Sequence, residues 1–306
     1  MTPLIDEHAN VAGKAAGAAR LSVLIPFYKD DPRPLLANLA HETPAEVELL
    51  LFDDGAPDAA LNAAVREAVD DLNTPARLLS AKTNLGRSAA RNRLGARAKG
   101  DWLLFLDADM AVEPGFLAGW LALIARTGAA ALFGGYAPVE TRDPALRLHA
   151  ALAQASDVKA AHARSSEGAF AVCSSNLAVS RAAFCEVPFD EGYAGWGWED
   201  VDWALSFAQR FAIAHVDHPA RHGGLERAGR LIAKFSRSGA NFARLLSRHP
   251  EYRARKGAQL AFTLNRTRLA LPARLVGAAA ARAPLPMKVR VLGLKLYRAG
   301  VGAKAL

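Results

Sequence analysis

Cysteine is nearly missing from this chain: Cys173 and Cys185 are the only two in 306 residues. They are too few for a disulfide framework and lack zinc-site spacing, so both are expected as reduced thiols in a cytoplasmic protein. No stretch reaches the ~18 uncharged apolar residues that span a bilayer, which confines any membrane role to a surface. The opening residues, MTPLIDEHANVAGKAAGAAR, carry acids early and no continuous apolar segment. They are not expected to act as a secretory signal, and residues 1–20 read as a flexible leader. No G-x-G-x-x-G follows the first apolar run, which argues against a dinucleotide-dependent oxidoreductase.

Acidic residues are absent in a revealing place. Residues 1–224 hold 20 Lys and Arg against 28 Asp and Glu, whereas residues 225–306 hold 18 against two, Glu226 and Glu251. An acidic body with a strongly basic tail implies separate duties for two surfaces. The spacing of Leu, Phe and Val among the tail's cations predicts amphipathic helices on an anionic membrane surface. No nucleic-acid recognition motif accompanies these cations, so a membrane is favoured over RNA.

The rest of the chain alternates short apolar runs with helical patterns. Strands are predicted at 21–26 (LSVLIP), 47–53 (VELLLFD), 76–81 (ARLLSA), 101–107 (DWLLFLD) and 174–181, with a further short one in 212–224. Helices are predicted at 31–42 behind Asp31 and Pro32, at 57–71, at 86–100, from Pro114, near 143–163 and from Glu199. This alternation predicts an α/β fold with a mostly parallel central sheet flanked by helices. Such sheets bind ligands at the carboxyl ends of their strands. That places Pro26–Asp31, Asp53–Gly55 and Asp107–Asp109 along one edge.

Those strand ends carry the chemistry. Asp107-Ala-Asp109 sets two carboxylates after a buried strand, where a hard divalent cation, Mn²⁺ or Mg²⁺, offsets their repulsion. Asp53 and Asp54 end another strand in acceptors suited to a nucleoside, although Asp-Gly is also a plain turn signal. Arg87 and Arg91 share one face of a helix whose N-terminus suits a diphosphate. Trp196-Gly-Trp198-Glu199-Asp200 combines flat rings, which suit the C–H faces of sugars, with carboxylates able to take a hydroxyl proton. Of His215, His218 and His222, the last two are candidates to complete a metal sphere, since His215 sits in an apolar strand.

In order and spacing, LSVLIPFYKDD, LLLFDDG, NLGRSAARN, WLLFLDADM, SSNLAVSR and GWGWEDVDW resemble the inverting family 2 glycosyltransferases of GT-A fold, over about residues 21–222. The tryptophan-flanked Glu-Asp is similar to the chondroitin-polymerase and galactosyltransferase branch. The resemblance implies a GT-A domain at 21–224 and leaves 225–306 as a basic helical extension. It implies nucleotide-sugar contacts from Pro26, Tyr28, Asp53, Asp54, Arg87 and Asp107, and metal ligation by Asp107, Asp109 and either His218 or His222. It also implies Asp200 as general base supported by Glu199, with Trp196 and Trp198 shaping the acceptor side. The activity implied is transfer from a nucleotide-diphosphate sugar, a UDP-sugar above all, to a saccharide or polyprenyl-lipid-linked hydroxyl in surface polysaccharide synthesis. The expected place is the cytoplasmic face of the inner membrane. Two rival readings are weighed: a degenerate carbohydrate- or membrane-binding scaffold, and a sugar-nucleotide pyrophosphorylase, which would need a Gly-rich, Arg-containing loop where this chain has PFYKDD.

Overall fold

The structure is a computed structural model that describes residues 5–40 and 43–306. It divides into two compact units. The first takes the chain up to Ala137 with Lys159–Glu191 and Trp203–Gly224, and the second takes Pro138–Val158, Gly192–Asp202 and Leu225–Leu306.

The first unit begins β1 (Ile5–Ala9), α1 (Val11–Ala15), β2 (Ala19–Phe27), α2 (Arg33–Ala40), β3 (Val47–Asp53), α3 (Ala59–Asp70), β4 (Ala76–Ala81) and α4 (Arg87–Arg97). It continues with β5 (Gly100–Leu106), β6 (Met110–Ala111), α5 (Phe116–Ile124) and β7 (Ala131–Phe133). Helix α6 (Arg147–Ser156) lies in the second unit; α7 (Ala161–Glu167), β8 (Asn176–Ser180) and α8 (Arg181–Glu186) return to the first. Helix α9 (Glu199–Ala208) starts in the second unit and ends in the first, followed by β9 (Ile213–His215) and β10 (Arg221–His222).

The main sheet has the order β1-β4-β3-β2-β5-β8-β7-β9. Strands β4, β3, β2 and β5 are mutually parallel, while β8 runs antiparallel to β5 and β7. The apolar runs are continuous because both sheet faces are covered. Leu49 and Leu51 of β3 enter the core on one face with Val23 and Ile25, and Leu50 and Phe52 enter the other with Leu24 and Phe105. Each such side chain, fully buried, contributes about 1.5–3 kcal/mol.

Three expectations are corrected. Residues predicted as a leader include β1, which pairs antiparallel with β4. Buried Asn10 fastens the following turn, accepting from Gly13 N and Ala76 N and donating to the carbonyls of Val69, Leu72 and Thr74. Arg77 adds a second anchor, donating to Glu7 at 3.0 Å and to buried Glu48 at 2.9 Å. The strand predicted at 21–26 runs on through Phe27, and Pro26 pairs in register with Phe52. The helix predicted near 143–163 is two helices, α6 and α7, and the last two residues of the one predicted at 31–42 lie outside the described residues.

The second unit is helical. Beyond Leu225 it holds α10 (Ala228–Ser236), α11 (Gly239–Arg248), α12 (Lys256–Arg266), α13 (Ala270–Arg282) and α14 (Met287–Lys304). Leu231, Phe235, Leu294 and Tyr297 centre one core with Leu148 of α6, while Phe242, Leu246, Ala261 and Ala303 centre another. The basic extension expected at 225–306 is therefore helical throughout most of its length, but it folds together with 138–158 and 192–202.

Candidate active site

The sheet aligns its carboxyl ends: Phe27 pairs with Asp53, and Asp53 with Ser80. Leu24 stands beside Phe105, so β5 delivers Asp107 to the same edge. Chain direction alone therefore gathers residues from three separated segments.

Asp107, Asp109 and His222 form a cluster in which one ligand atom from each lies within 4.8 Å of the others. Backbone pairing builds it. Strand β10 lies antiparallel to β6 with His222 opposite Met110, and Gly223 N donates to the Asp109 carbonyl at 2.8 Å. His222 Nε2 stands 3.6 Å from Asp109 Oδ2. Gly224 closes the cluster, since a Cβ on it would lie 1.8 Å from Asp109 Oδ2. Two carboxylates and an imidazole make a donor set suited to Mn²⁺, and one that Mg²⁺ also uses through its carboxylates.

The electrostatics distinguish the two aspartates. Burial would push the Asp107 carboxyl up, but Arg91, Arg87 and His222 together hold it below the usual range. Arg91 is itself buried and donates through Nη2 to Asp107 Oδ1 at 2.6 Å. Asp109 goes the other way: burial raises it, His222 opposes the rise, and Asp107 and Asp30 add to it. A cation at this cluster relieves that penalty.

His218 is not part of the cluster. Its ring stacks on Phe116 at 4.7 Å and meets Trp120 edge-on, while Nε2 bonds the Phe116 carbonyl at 2.8 Å. That packing corrects its expected role as a metal ligand. His215, expected to be structural, has Nε2 on the Gly168 carbonyl at 3.1 Å.

The acidic end of β3 is committed to bracing. Asp54 accepts from Leu85 N, Gly86 N and Asn84 Nδ2, and Asp53 accepts from Ala56 N and Asn62 Nδ2. Burial raises the Asp54 carboxyl against these bonds. A nucleobase donor would have to share oxygens that already hold the loop before α4. Tyr28 lines a cavity of about 470 Å³ with Lys29, Asp31, Arg33, Pro57 and Leu61; Pro26 lies just before it on β2, partly exposed. Arg87 opens α4, behind a glycine with φ of 93°.

In the second unit, Glu199 and Asp200 open α9. The sequence assigns Trp196 and Trp198 to an acceptor wall, but the structure engages both rings within the unit. Trp196 packs on Phe235 at 5.3 Å, and Trp198 on Phe242 at 5.2 Å and Tyr252 at 5.6 Å. The turn is held from beneath by Asp202, which is buried and accepts from Tyr193 Oη at 3.0 Å and Arg248 Nε at 2.6 Å, with His249 Nε2 at 3.1 Å. Asp202, Arg248 and Arg298 carry no local signal in the sequence, because Arg248 meets Asp202 across 46 residues and the Arg298 guanidinium lies over the ring of the still more distant Trp198. Gly223-Gly224 directly after His222 was a usable signal for a crowded backbone.

Comparison with known proteins decides the family. The model of "Glycosyl transferase family 2" matches residues 22–184, more than half of the chain. The chain belongs to that family. Among curated relatives, it is 36% identical over 97 residues to "Uncharacterized glycosyltransferase YibD" of Escherichia coli (strain K12), covering 31% of this family 2 chain and 27% of that protein. It spans between 27% and 35% of the length of the curated relatives it matches. Among solved structures, the mannosyltransferase PcManGT of Pyrobaculum calidifontis, in complex with GDP-Man and Mn²⁺, superposes with a TM-score of 0.61 at 18% identity, over 97% of this chain and 90% of that one. Glucosyl-3-phosphoglycerate synthase of Mycobacterium tuberculosis, in complex with Mn²⁺, UDP-glucose and glycerol 3-phosphate, gives 0.51 at 22% identity, over 78% and 82%. At these identities the likeness shows the fold, which is GT-A-like.

Proposed function

We propose that this family 2 member is an inverting glycosyltransferase that moves a sugar from a nucleotide-diphosphate donor, a UDP-sugar, to a hydroxyl of a saccharide or lipid-linked acceptor in surface glycoconjugate synthesis. The observation that carries the proposal is the Asp107–Asp109–His222 cluster at the carboxyl edge of the parallel strands. The solved neighbours with Mn²⁺ and a nucleotide sugar in their complexes support the same reading.

Asp107, Asp109 and His222 would hold a divalent cation, which supplies countercharge for a diphosphate. Arg87, at the mouth of α4, adds positive charge for the same leaving group. Tyr28 and Pro26 offer apolar surface to the nucleoside. Asp200 takes the proton of the acceptor hydroxyl as its oxygen bonds to the anomeric carbon. The bond from that carbon to the diphosphate oxygen breaks, and its electron pair leaves with the diphosphate. One displacement inverts the anomeric centre. Glu199 supports Asp200 at the start of α9.

The test is release of nucleoside diphosphate from a panel of UDP-, GDP- and dTDP-sugars with Mn²⁺ or EDTA. Metal-dependent release from one donor, lost in Asp109→Ala, is the expected result. Asp200→Asn is expected to lose at least about a hundredfold in turnover while still binding donor, the share a general base typically supplies. Full turnover in that variant would overturn the assignment of the base.

A further inference from the structure

Helix α13 is built inside out for water, and α14 carries a second exposed apolar edge. Where α13 and α14 meet, the residues are small. Ala273, Gly277 and Ala281 lie buried at four-residue intervals, facing Gly293, Tyr297 and Gly300. A Cβ on Gly277 would stand 2.6 Å from the Gly293 carbonyl and 2.7 Å from Tyr297 N, so the two backbones touch. On α13 the large apolar side chains point outward instead, while α14 keeps Val291, Leu294 and Tyr297 in the core and exposes Val289 and Leu292. Leu271, Leu275 and Val276 are 61%, 64% and 59% exposed on one stripe of α13, and Leu292 is 63% exposed on α14. Val289 and, between the helices, Leu285 extend the exposed set.

A soluble helix pair buries its leucines and exposes polar residues. Small residues at the crossing with leucines outside is the arrangement of helices surrounded by lipid. Neither helix is long and apolar enough to cross a bilayer among the described residues. The charge selects the surface. α13 and α14 carry seven Lys or Arg and no Asp or Glu. Exposed Arg282, Lys288 and Lys295 fall on or beside the apolar stripe. A second copy of the chain would bring these cations against one another, whereas anionic headgroups neutralise them.

We infer that the α13–α14 pair is a monotopic anchor that seats its exposed Leu and Val side chains among the acyl chains of an anionic leaflet. Leu271, Leu275 and Leu292 enter the boundary region, and Arg282, Lys288 and Lys295 lie at headgroup level. The chemical partner is the lipid surface itself, and the inference stands independently of the transfer reaction.

The experiment is sedimentation of the full chain with vesicles of phosphatidylcholine, with and without phosphatidylglycerol, in the absence of donor. Wild type is expected to bind the phosphatidylglycerol vesicles. L271S/L275S/L292S should lose at least about tenfold in partitioning, since apolar burial drives insertion. R282Q/K288Q/K295Q should lose roughly fivefold per charge, with a flattened salt dependence. Circular dichroism and the melting temperature should match wild type in both variants, because these side chains are exposed. Three results would each overturn the inference: no binding of wild type to anionic vesicles, leucine variants that bind like wild type, or a dimer that those variants dissociate. Retention on single-stranded RNA that equals vesicle binding and ignores the leucine changes would likewise overturn it.

Discussion

The Arg298 guanidinium carbon lies 4.2 Å from the centre of the Trp198 ring, and Trp198 holds a backbone φ of 79°. A bulky residue in that region costs about 1–3 kcal/mol. Cation–π contact returns ~0.5–2 kcal/mol and each aromatic neighbour ~0.5–1.5 kcal/mol, so Phe242, Tyr252 and Arg298 together offset strain of that size. Asp200 sits two residues beyond this turn. With Asp200 as the proposed base, Arg298 acts as a positioning residue: Arg298→Ala should lower turnover about tenfold and stability by ~1–2 kcal/mol while leaving donor affinity unchanged. Initial-rate kinetics beside donor titration checks this, and Arg298→Lys should recover part of the loss. A changed donor affinity with intact turnover would count against the role.

The two histidines separate by metal titration. His222→Asn should weaken Mn²⁺ binding by at least about tenfold, whereas His218→Asn should leave it unchanged, because losing an inner ligand costs more than a supporting contact. Calorimetry reads both. Equal losses would return His218 to the site.

Gly224→Ala offers a backbone version of the same test. The added methyl would fall 1.8 Å from Asp109 Oδ2, so the carboxylate must leave its place in the cluster. Mn²⁺ affinity should collapse even though no ligand is changed.

Breaking the Arg91–Asp107 pair tests the field around the cluster. Arg91→Leu removes a buried cation 2.6 Å from Asp107 Oδ1, and loss of one member of such a pair costs about 3 kcal/mol. Burial then dominates at Asp107 and its carboxyl rises, so Mn²⁺ binding should need a higher pH than in wild type. Denaturant unfolding and a pH series of metal titrations report the two effects separately.

His215 and His218 set an acid limit on stability. Burial lowers both below the usual imidazole value, the bonds to the Gly168 and Phe116 carbonyls opposing it. A base whose folded value is depressed contributes stability that is complete above its unfolded value, about 6.5, and that is lost as pH falls toward the folded value. The melting temperature should therefore decline as pH drops below about 6.5. His218→Gln, which keeps a donor for the Phe116 carbonyl, should flatten part of that decline at a cost of ~1–2 kcal/mol from the lost stacking. An unaltered slope would show that other groups govern it.

Much of the fold was legible because period and chain direction are local properties. VELLLFD and DWLLFLD announce strands covered on both faces, and their closing aspartates fall at the ligand edge by the rule for parallel sheets. The Glu199 helix start and the paired Asp107 and Asp109 could be read for the same reason. The strand Ile5–Ala9 could not, since IDEHA has an edge-strand pattern with one weak apolar face, and its pairing depends on Glu7 meeting Arg77 across 70 residues.

The sequence by itself determined the order of elements, the family-bearing motifs, the charge division at Leu225 and the chemistry available at each strand end. Only the tertiary structure decided which histidine joins the aspartates. His218 and His222 are alike in type and near neighbours in sequence, and the choice rests on β10 pairing with β6 while Phe116 captures the His218 ring. It likewise decided that Asp54 braces a loop, that Trp198 is held by Arg298, and that the leucines of α13 face outward. Each depends on which remote surface a side chain meets, and a linear pattern carries no record of that.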